Sequence, residues 1–191
     1  VCLGDSLTSG HPFYWAETGT GDVTASYPYQ LSRRLKNQYE VINSGYGSDT
    51  TDRCIARFDR DVLAYSPQYC IFQCGTNDLY WAMAESLNNQ EALDMKMKVV
   101  RDNTIIVITR CWENGIIPII GTLIPRTGAT GIYNTALYEH NQWIIDYCTQ
   151  QAAEGRDIFY VDFFNAGKDV VPPTPLEDPN NPGAINGLVA R

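Results

Sequence analysis

Histidine and basic residues are scarce in this sequence. Its 191 residues include only two histidines, His11 and His140, and 14 Lys and Arg against 22 Asp and Glu. The formal net charge of −8 makes binding of a phosphate backbone by charge unfavourable, so we expect no nucleic-acid partner. No apolar stretch approaches the roughly 20 residues that a membrane-spanning helix needs, so we expect no membrane span.

The six cysteines lack the spacing of a disulfide framework or a zinc site. Cys70 and Cys74 lie four residues apart in one apolar run, about 13 Å along a strand, which is too far for a disulfide. They have no histidine neighbours, so a zinc site is not indicated either. We expect small buried hydrophobic side chains, with no metal and no cofactor. Free thiols favour a reducing, cytoplasmic compartment, and no signal peptide is visible, although export stays open if a leader has been removed.

What the sequence does contain is a regular alternation of apolar runs and helical patterns. The length suits a single domain over residues 1–191. The runs have the little polar alternation expected of strands covered on both faces, and they are Val1–Leu3, Tyr39–Asn43, Tyr69–Cys74, Ile116–Leu123 and Ile158–Phe163. Between them, helices are predicted around residues 27–35, 55–63, 90–114 and 137–155, with long loops at 9–26 and from 164 onward. The pattern predicts an α/β fold with a five-stranded parallel sheet between two helical layers.

Polar clusters follow three of these predicted strands. They are Gly4-Asp5-Ser6-Leu7, the stretch from Asn43 to Thr50, and Gly75-Thr76-Asn77-Asp78. Each cluster alone is ordinary turn chemistry. Because ligands bind beyond the carboxyl ends of parallel strands, the three together predict a functional site at that edge of the sheet.

The three clusters resemble three sequence blocks of the GDSL, or SGNH, hydrolase superfamily, and the resemblance covers nearly the whole chain. Its members are esterases, lipases, thioesterases and carbohydrate acetylesterases on a flavodoxin-like sheet. The resemblance implies that Ser6 is a nucleophile that forms an acyl-enzyme. It also implies an oxyanion hole made by the N–H of Ser6, an N–H of the second block and the side-chain amide of Asn77.

The second block departs from the family pattern. Ser48 stands where the family usually has glycine before the Asp-Thr pair, so the amide that completes the hole could be that of Ser48 or of Gly47. Asp5 and Asp78 are expected to hold the loops by accepting backbone N–H bonds, and neither is expected to be the acid of a catalytic triad.

The general base departs further from the pattern. The family has an Asp and a His three residues apart near its C-terminus, whereas the acids after Phe163 are Asp169, Glu177 and Asp178, with no histidine. His140 is expected to be a packing or surface residue of a helix. His11 leaves the site on a loop, and the sequence shows no carboxylate to orient it. We therefore expect an Asp-x-x-His segment and a final helix beyond Arg191.

The predicted activity is hydrolysis of a small or medium acyl ester, with a carbohydrate acetyl ester as one candidate. The residues expected to line the substrate site are His11, Tyr46, Tyr80 and Trp81, since aromatic rims suit both sugars and acyl chains. The alternative is a relative without catalysis, used for ligand binding or structure. A flavin or nucleotide binder is disfavoured because no Gly-x-Gly-x-x-Gly or Walker loop is present. An α/β-hydrolase is excluded because Thr8 stands where Gly-x-Ser-x-Gly requires glycine.

Overall fold

A five-stranded parallel sheet forms the centre of the molecule. The computed structural model describes residues 1–36, 38–86, 89–124 and 131–168. The sheet strands, in chain order, are β1 (Cys2–Gly4), β4 (Asn43–Gly45), β5 (Tyr69–Gln73), β6 (Ile117–Gly121) and β7 (Phe159–Val161). Their order across the sheet is β4-β1-β5-β6-β7, with every neighbouring pair parallel. The predicted α/β class with a five-stranded parallel sheet is therefore confirmed.

The strand order determines where a ligand can bind. The chain passes from β1 to β4 on one side and then crosses to β5 on the other, which is the flavodoxin-like order. Gly4 is in register with Gly45 on one side and with Gln73 on the other. Because adjacent strands lie about 4.8 Å apart, the three polar clusters meet at the point where the strand order reverses.

Helices and a small hairpin connect these strands. The helices are α1 (Ser6–Ser9), α2 (Tyr27–Arg34), α3 (Thr51–Ala56), α4 (Phe58–Asp61), α5 (Thr76–Ser86), α6 (Gln90–Glu113), α7 (Ile132–Ala153) and α8 (Phe163–Lys168), with 3-10 turns at Val23–Ala25 and Leu63–Tyr65. The hairpin strands β2 (Tyr14–Trp15) and β3 (Thr20–Gly21) pair antiparallel inside the predicted 9–26 loop.

Four local predictions from the sequence are wrong. The second strand is Asn43–Gly45 rather than Tyr39–Asn43, because parallel pairing with β1 begins at Asn43, and Tyr39 is 45% exposed. The helix predicted around residues 55–63 is broken at Arg57 into α3 and α4. Helix α5 was not predicted, and α8 occupies the start of the predicted C-terminal loop. The acids Asp169, Glu177 and Asp178 lie outside the described residues.

Two buried clusters of apolar side chains hold the layers together. One fills the space between the sheet and helices α3, α4, α6 and α7, and it includes Leu3, Phe58, Phe72, Ile108 and Ile144. The other lies among α5 to α8 and includes Leu79, Leu93, Val100, Leu137 and Phe164. All six cysteines are buried and free, as the sequence spacing predicted. Over the described ranges, no helix combines the length and the apolar character needed to cross a membrane.

Candidate active site

Ser6 is the first residue of α1 and follows β1 after a single intervening residue. That residue, Asp5, caps the helix: its Oδ1 accepts the Leu7 N–H at 2.9 Å. The N–H of Ser6 donates to no residue in the described part of the chain. It lies at a helix N-terminus, where a negative charge is stabilised. Ser6 thus has a hydroxyl and an available backbone donor at the carboxyl edge of the sheet.

The second block forms the turn after β4. The Asn43 side chain shapes it by accepting the Gly45 N–H and donating to the Ser9 carbonyl, both at 3.0 Å. Ser48 has a φ of +61°, a left-handed conformation that glycine adopts more easily. The glycine that the family usually has here suits this conformation. Serine adopts it in this chain at the expense of some backbone strain.

The structure distinguishes the two amides that the sequence left as alternatives. The Gly47 N–H donates to Oε1 of Glu17 at 3.0 Å and is therefore occupied. The Ser48 N–H, one residue later, has no acceptor among the described residues. Of the two, Ser48 is therefore the residue whose backbone donor is available.

Asn77 and Asp78 connect the third block to the second. Asn77 lies in the first turn of α5 and donates through Nδ2 to the Asp49 carbonyl at 2.8 Å, which uses one of its two amide hydrogens. The Asp78 carboxylate accepts the Thr51 N–H at 3.1 Å and the Thr51 hydroxyl at 2.7 Å. Burial raises the pKa of Asp78, although the bonds from Thr51 oppose that rise. These contacts bring the start of α5 against the start of α3.

Arg57 lies beneath the site, and sequence reasoning missed it. Its guanidinium donates to Asp49 Oδ2 at 2.6 Å, to Asp61 Oδ2 at 2.7 Å and to the carbonyl oxygens of Gly4 and Ser44, both at 2.9 Å. Its side chain is 9% exposed. Burial lowers the pKa of Arg57, but nearby Cys54 and the carboxylates of Asp61 and Asp49 outweigh burial and raise the pKa overall, so the group stays charged. The one available signal was the Arg-Asp pair at i, i+4 within the predicted helix.

His11 has an orienting carboxylate, contrary to the expectation from the sequence. Its Nε2 lies 3.1 Å from Oε1 of Glu17, and its ring packs on Trp15 with centroids 5.0 Å apart. Glu17 is brought near by the hairpin, which the sequence did not predict. His11 and Glu17 together lie against the turn at Gly47.

His140 is remote from this chemistry. It lies eight residues into α7, is fully buried and stacks on Trp143 with centroids 5.6 Å apart. Burial, with a smaller contribution from Arg101, lowers the pKa of His140 to about 3. The ring is therefore neutral at physiological pH, and it forms part of the packing of α7.

The aromatic residues expected to line the site have different environments. The Tyr46 ring lies under the guanidinium groups of Arg57 and Arg60, at 4.5 and 5.6 Å from its centroid. Tyr80 and Trp81 pack edge to face on α5, and Trp81 is 52% exposed. Tyr46 thus supports the network beneath the site, whereas Trp81 presents a ring to solvent.

The molecule has a large cavity that does not coincide with the candidate active site. This cavity, of about 530 Å³, lies at the opposite, amino edge of the sheet, bordered by Val1, Leu31, Tyr39 and Tyr69. Within the ranges that the structure covers, no group of three or more His, Cys, Asp or Glu side chains could hold a metal ion. The site at the carboxyl edge is characterised by its backbone and amide donors around a serine.

The chain is similar to known proteins in both sequence and fold. A protein from Bacillus subtilis named uncharacterized lipoprotein YqeF is 28% identical over 142 residues, which are 74% of this chain and 55% of the relative. The chain thus spans about half of that relative's length.

Two solved structures show the same fold. One is a protein from Desulfitobacterium hafniense described as lipolytic and of the G-D-S-L family, with 28% identity, a TM-score of 0.58, and coverage of 85% of this chain and 75% of that one. The other is Axe2, an acetylxylan esterase from Geobacillus stearothermophilus, with 20% identity, a TM-score of 0.62, and coverage of 91% and 79%. The model of the GDSL-like lipase/acylhydrolase family matches residues 2–183, and the chain belongs to that family.

Proposed function

We propose that this chain carries the active site of a serine hydrolase that cleaves small or medium acyl esters. The observation that supports this most is the meeting of three strand ends around Ser6, with Gly4 in register with both Gly45 and Gln73. Their loops are joined by the Asn77–Asp49 hydrogen bond. Ser6 attacks the acyl carbonyl, the alcohol leaves, and water hydrolyses the acyl-enzyme.

The oxyanion of the tetrahedral intermediate is bound, in this proposal, by the N–H of Ser6, the N–H of Ser48 and the remaining amide hydrogen of Asn77. These donors are held before the substrate arrives, because Asn77 is tied to Asp49 and Asp49 is tied to Arg57. Donors that need no reorganisation during the reaction stabilise developing charge most effectively.

The reaction also needs a general base, and neither histidine of the sequence is suited to this role. His140 is buried and neutral, and the His11 ring, which contacts Glu17, has no hydrogen bond to the Ser6 hydroxyl among the described residues. We therefore keep the Asp-x-x-His pair downstream of Arg191 as part of the proposal. The codons after Arg191 decide it: absence of such a pair within about 40 residues, the length of one loop and one helix, would contradict it.

An acetylated carbohydrate is the favoured substrate class. Axe2, whose fold this chain shares, is an acetylxylan esterase, and the exposed Trp81 ring offers a surface on which a sugar can stack. The net charge of −8 disfavours strongly anionic esters. We expect a higher kcat/KM for acetylated xylo-oligosaccharides and p-nitrophenyl acetate than for p-nitrophenyl octanoate.

The decisive experiment uses the full-length protein. We expect hydrolysis of p-nitrophenyl acetate and covalent labelling of Ser6 by a fluorophosphonate, both lost in Ser6→Ala with unchanged thermal unfolding. A full-length protein that neither hydrolyses the ester nor takes the label would favour the alternative, a module of the same fold without catalysis.

Asn77→Ala tests the oxyanion hole separately. We expect kcat to fall by about 10²–10³, the usual effect of removing one such donor. Asn114→Ala is the matched control, because Asn114 caps α6 at the amino edge and donates to Arg110. Equal kcat values for the Asn77 variant and the wild type would remove Asn77 from the hole.

A further inference from the structure

Glu17 occupies a position that the proposed reaction does not itself explain. It lies between the hairpin strands β2 and β3, and its side chain is 18% exposed. Oε1 accepts the Gly47 N–H at 3.0 Å and lies 3.1 Å from Nε2 of His11. Oε2 accepts the Ser9 hydroxyl at 2.8 Å. One carboxylate therefore contacts the hairpin loop, helix α1 and the second-block turn.

The carboxylate of Glu17 is held in its charged form. Burial raises its pKa, but hydrogen bonds from its own backbone, Ser9 and Gly47, together with nearby His11, outweigh burial and bring the pKa below the usual value. A hydrogen bond from a backbone N–H to a charged carboxylate is roughly twice as strong as one between neutral groups. The Gly47 N–H is thus firmly bound at neutral pH.

The Gly47 and Ser48 amides differ in whether they have a hydrogen-bond acceptor. The N–H groups of Gly47 and Ser48 are consecutive donors in one turn, and the first is bound to Glu17 whereas the second has no acceptor in the described ranges. Ser48 also has a φ of +61°, a strained conformation for a non-glycine residue, which persists only where surrounding contacts hold it. The Glu17–Gly47 bond is such a contact.

The His11 ring supports the same arrangement from the other side. A Cβ on Gly47 would lie 2.6 Å from Cε1 of His11 and 3.1 Å from Oε1 of Glu17, so a side chain at residue 47 would force the His11 ring to shift. The Ser9 hydroxyl that binds Glu17 also accepts the Ala16 N–H at 2.8 Å, which ties the hairpin to α1.

We propose that Glu17 is a positioning residue, which holds the Gly47–Ser48 turn so that the Ser48 N–H is the second donor of the oxyanion hole. Through Ser9 it also holds that turn in register with α1, the helix that begins at Ser6. The inference rests on the proposed ester hydrolysis and adds to it a residue that does not touch the substrate.

The test compares Glu17→Ala with Glu17→Gln in the full-length protein. With p-nitrophenyl acetate, we expect Glu17→Ala to lower kcat by about 10- to 100-fold, less than loss of a donor itself, with KM changed less than about twofold. Glu17→Gln keeps an oxygen that can accept the Gly47 N–H, so its kcat should lie within several-fold of the wild type. Asp22→Ala removes another carboxylate of the same loop, one that caps the 3-10 turn through Thr24, and should leave kcat unchanged.

A second measurement separates this inference from the proposed function. In NMR spectra, the Gly47 amide proton should move upfield in Glu17→Gln, while that of the distant Gly115 stays in place.

An active enzyme whose kcat is unchanged in Glu17→Ala overturns the positioning role alone. A full-length wild type without esterase activity overturns the proposed function and the positioning role together, although the Gly47 shift would still verify the contact. If Glu17→Ala fails to fold, Glu17→Gln decides: an unmoved Gly47 proton overturns the inference.

Discussion

The carboxyl group of Asp5 is buried directly beneath the proposed nucleophile. Its Oδ1 accepts the Leu7 N–H, whereas Oδ2 has no partner among the described residues. Burial raises the pKa of Asp5 to about 7; the bond from Leu7 opposes this, and the nearby acids Asp78 and Asp49 reinforce it. An acid in this position is difficult to ionise, so its charge opposes folding at neutral pH.

Asp5→Asn should therefore stabilise the protein in a pH-dependent manner. Between the unfolded pKa of about 3.9 and the folded pKa of about 7, the native state binds more protons than the unfolded state, so wild-type stability falls as pH rises through this window. Asparagine keeps the helix cap and does not titrate. The advantage of the variant should grow from pH 4 to pH 8, up to about 4 kcal/mol, as measured by denaturant unfolding.

Asp22→Asn is the control for this prediction. Asp22 is an exposed cap whose pKa lies below its usual value because of its bonds to Thr24, so its replacement should not give an advantage that grows with pH. A constant difference in stability between Asp5→Asn and the wild type from pH 4 to pH 8 would show that Asp5 titrates normally.

Helix α1 and strand β4 approach each other at backbone distance. A Cβ on Gly45 would lie 2.1 Å from the Ser9 nitrogen and 2.6 Å from the Ser9 Cα, and neither atom can move without moving the helix. Asn43 bridges the same two elements through its bond to the Ser9 carbonyl. The position of Ser6 at the start of α1 therefore depends on the absence of a side chain at residue 45.

Gly45→Ala should displace α1 and impair both folding and catalysis. We expect a loss of about 2 kcal/mol or more in the free energy of unfolding and a lower kcat, because the overlap is with backbone atoms. Gly115→Ala provides the comparison: its φ of +68° costs about 1–2 kcal/mol, but nothing lies within 4 Å of the added Cβ. Denaturant unfolding and ester hydrolysis measure the two effects, and a Gly45→Ala variant with normal kcat would contradict the close approach.

Strands were predictable from the sequence where the buried apolar residues are also the residues that pair with a neighbouring strand. The apolar runs at β5 and β6 are both buried and paired, so their positions were predicted well. At β4 burial and pairing separate, because the apolar residues Tyr39, Val41 and Ile42 precede the paired residues Asn43–Gly45. Helix α5 was missed because its first turn, Thr76-Asn77-Asp78, has the composition of a loop, although Leu79 and Ala82 are buried at helical spacing.

At the scale of the whole molecule, all six cysteines lie inside the two helical layers and the sheet. Each is buried and free, and Cys70, Cys74 and Cys111 belong to one apolar cluster. Burial raises the pKa of Cys2 and of Cys148 to about 12, so their reactive thiolate forms are scarce at neutral pH. The thiols are therefore protected because reagents cannot reach them, and in Cys2 and Cys148 also because the thiol stays protonated.

Thiol titration should report this protection directly. With Ellman's reagent at pH 8, we expect less than one reactive thiol per native chain within minutes, and six per chain in guanidinium without reductant. Four or fewer thiols in the denatured, unreduced protein would reveal a disulfide and contradict the structure.

The sequence by itself determined the fold class and the identity of the polar blocks. Ser6, Asn77 and their neighbours could be recognised because each block is local: a turn of defined composition directly follows an apolar strand. Only the tertiary structure determined which residues these blocks contact. Glu17 reaches Gly47 across 30 residues, and Arg57 reaches the Gly4 carbonyl across 53, through a hairpin and a broken helix that the sequence did not predict. Which second-block amide is free follows from these long-range contacts, because a backbone donor is available only where folding brings no acceptor to it.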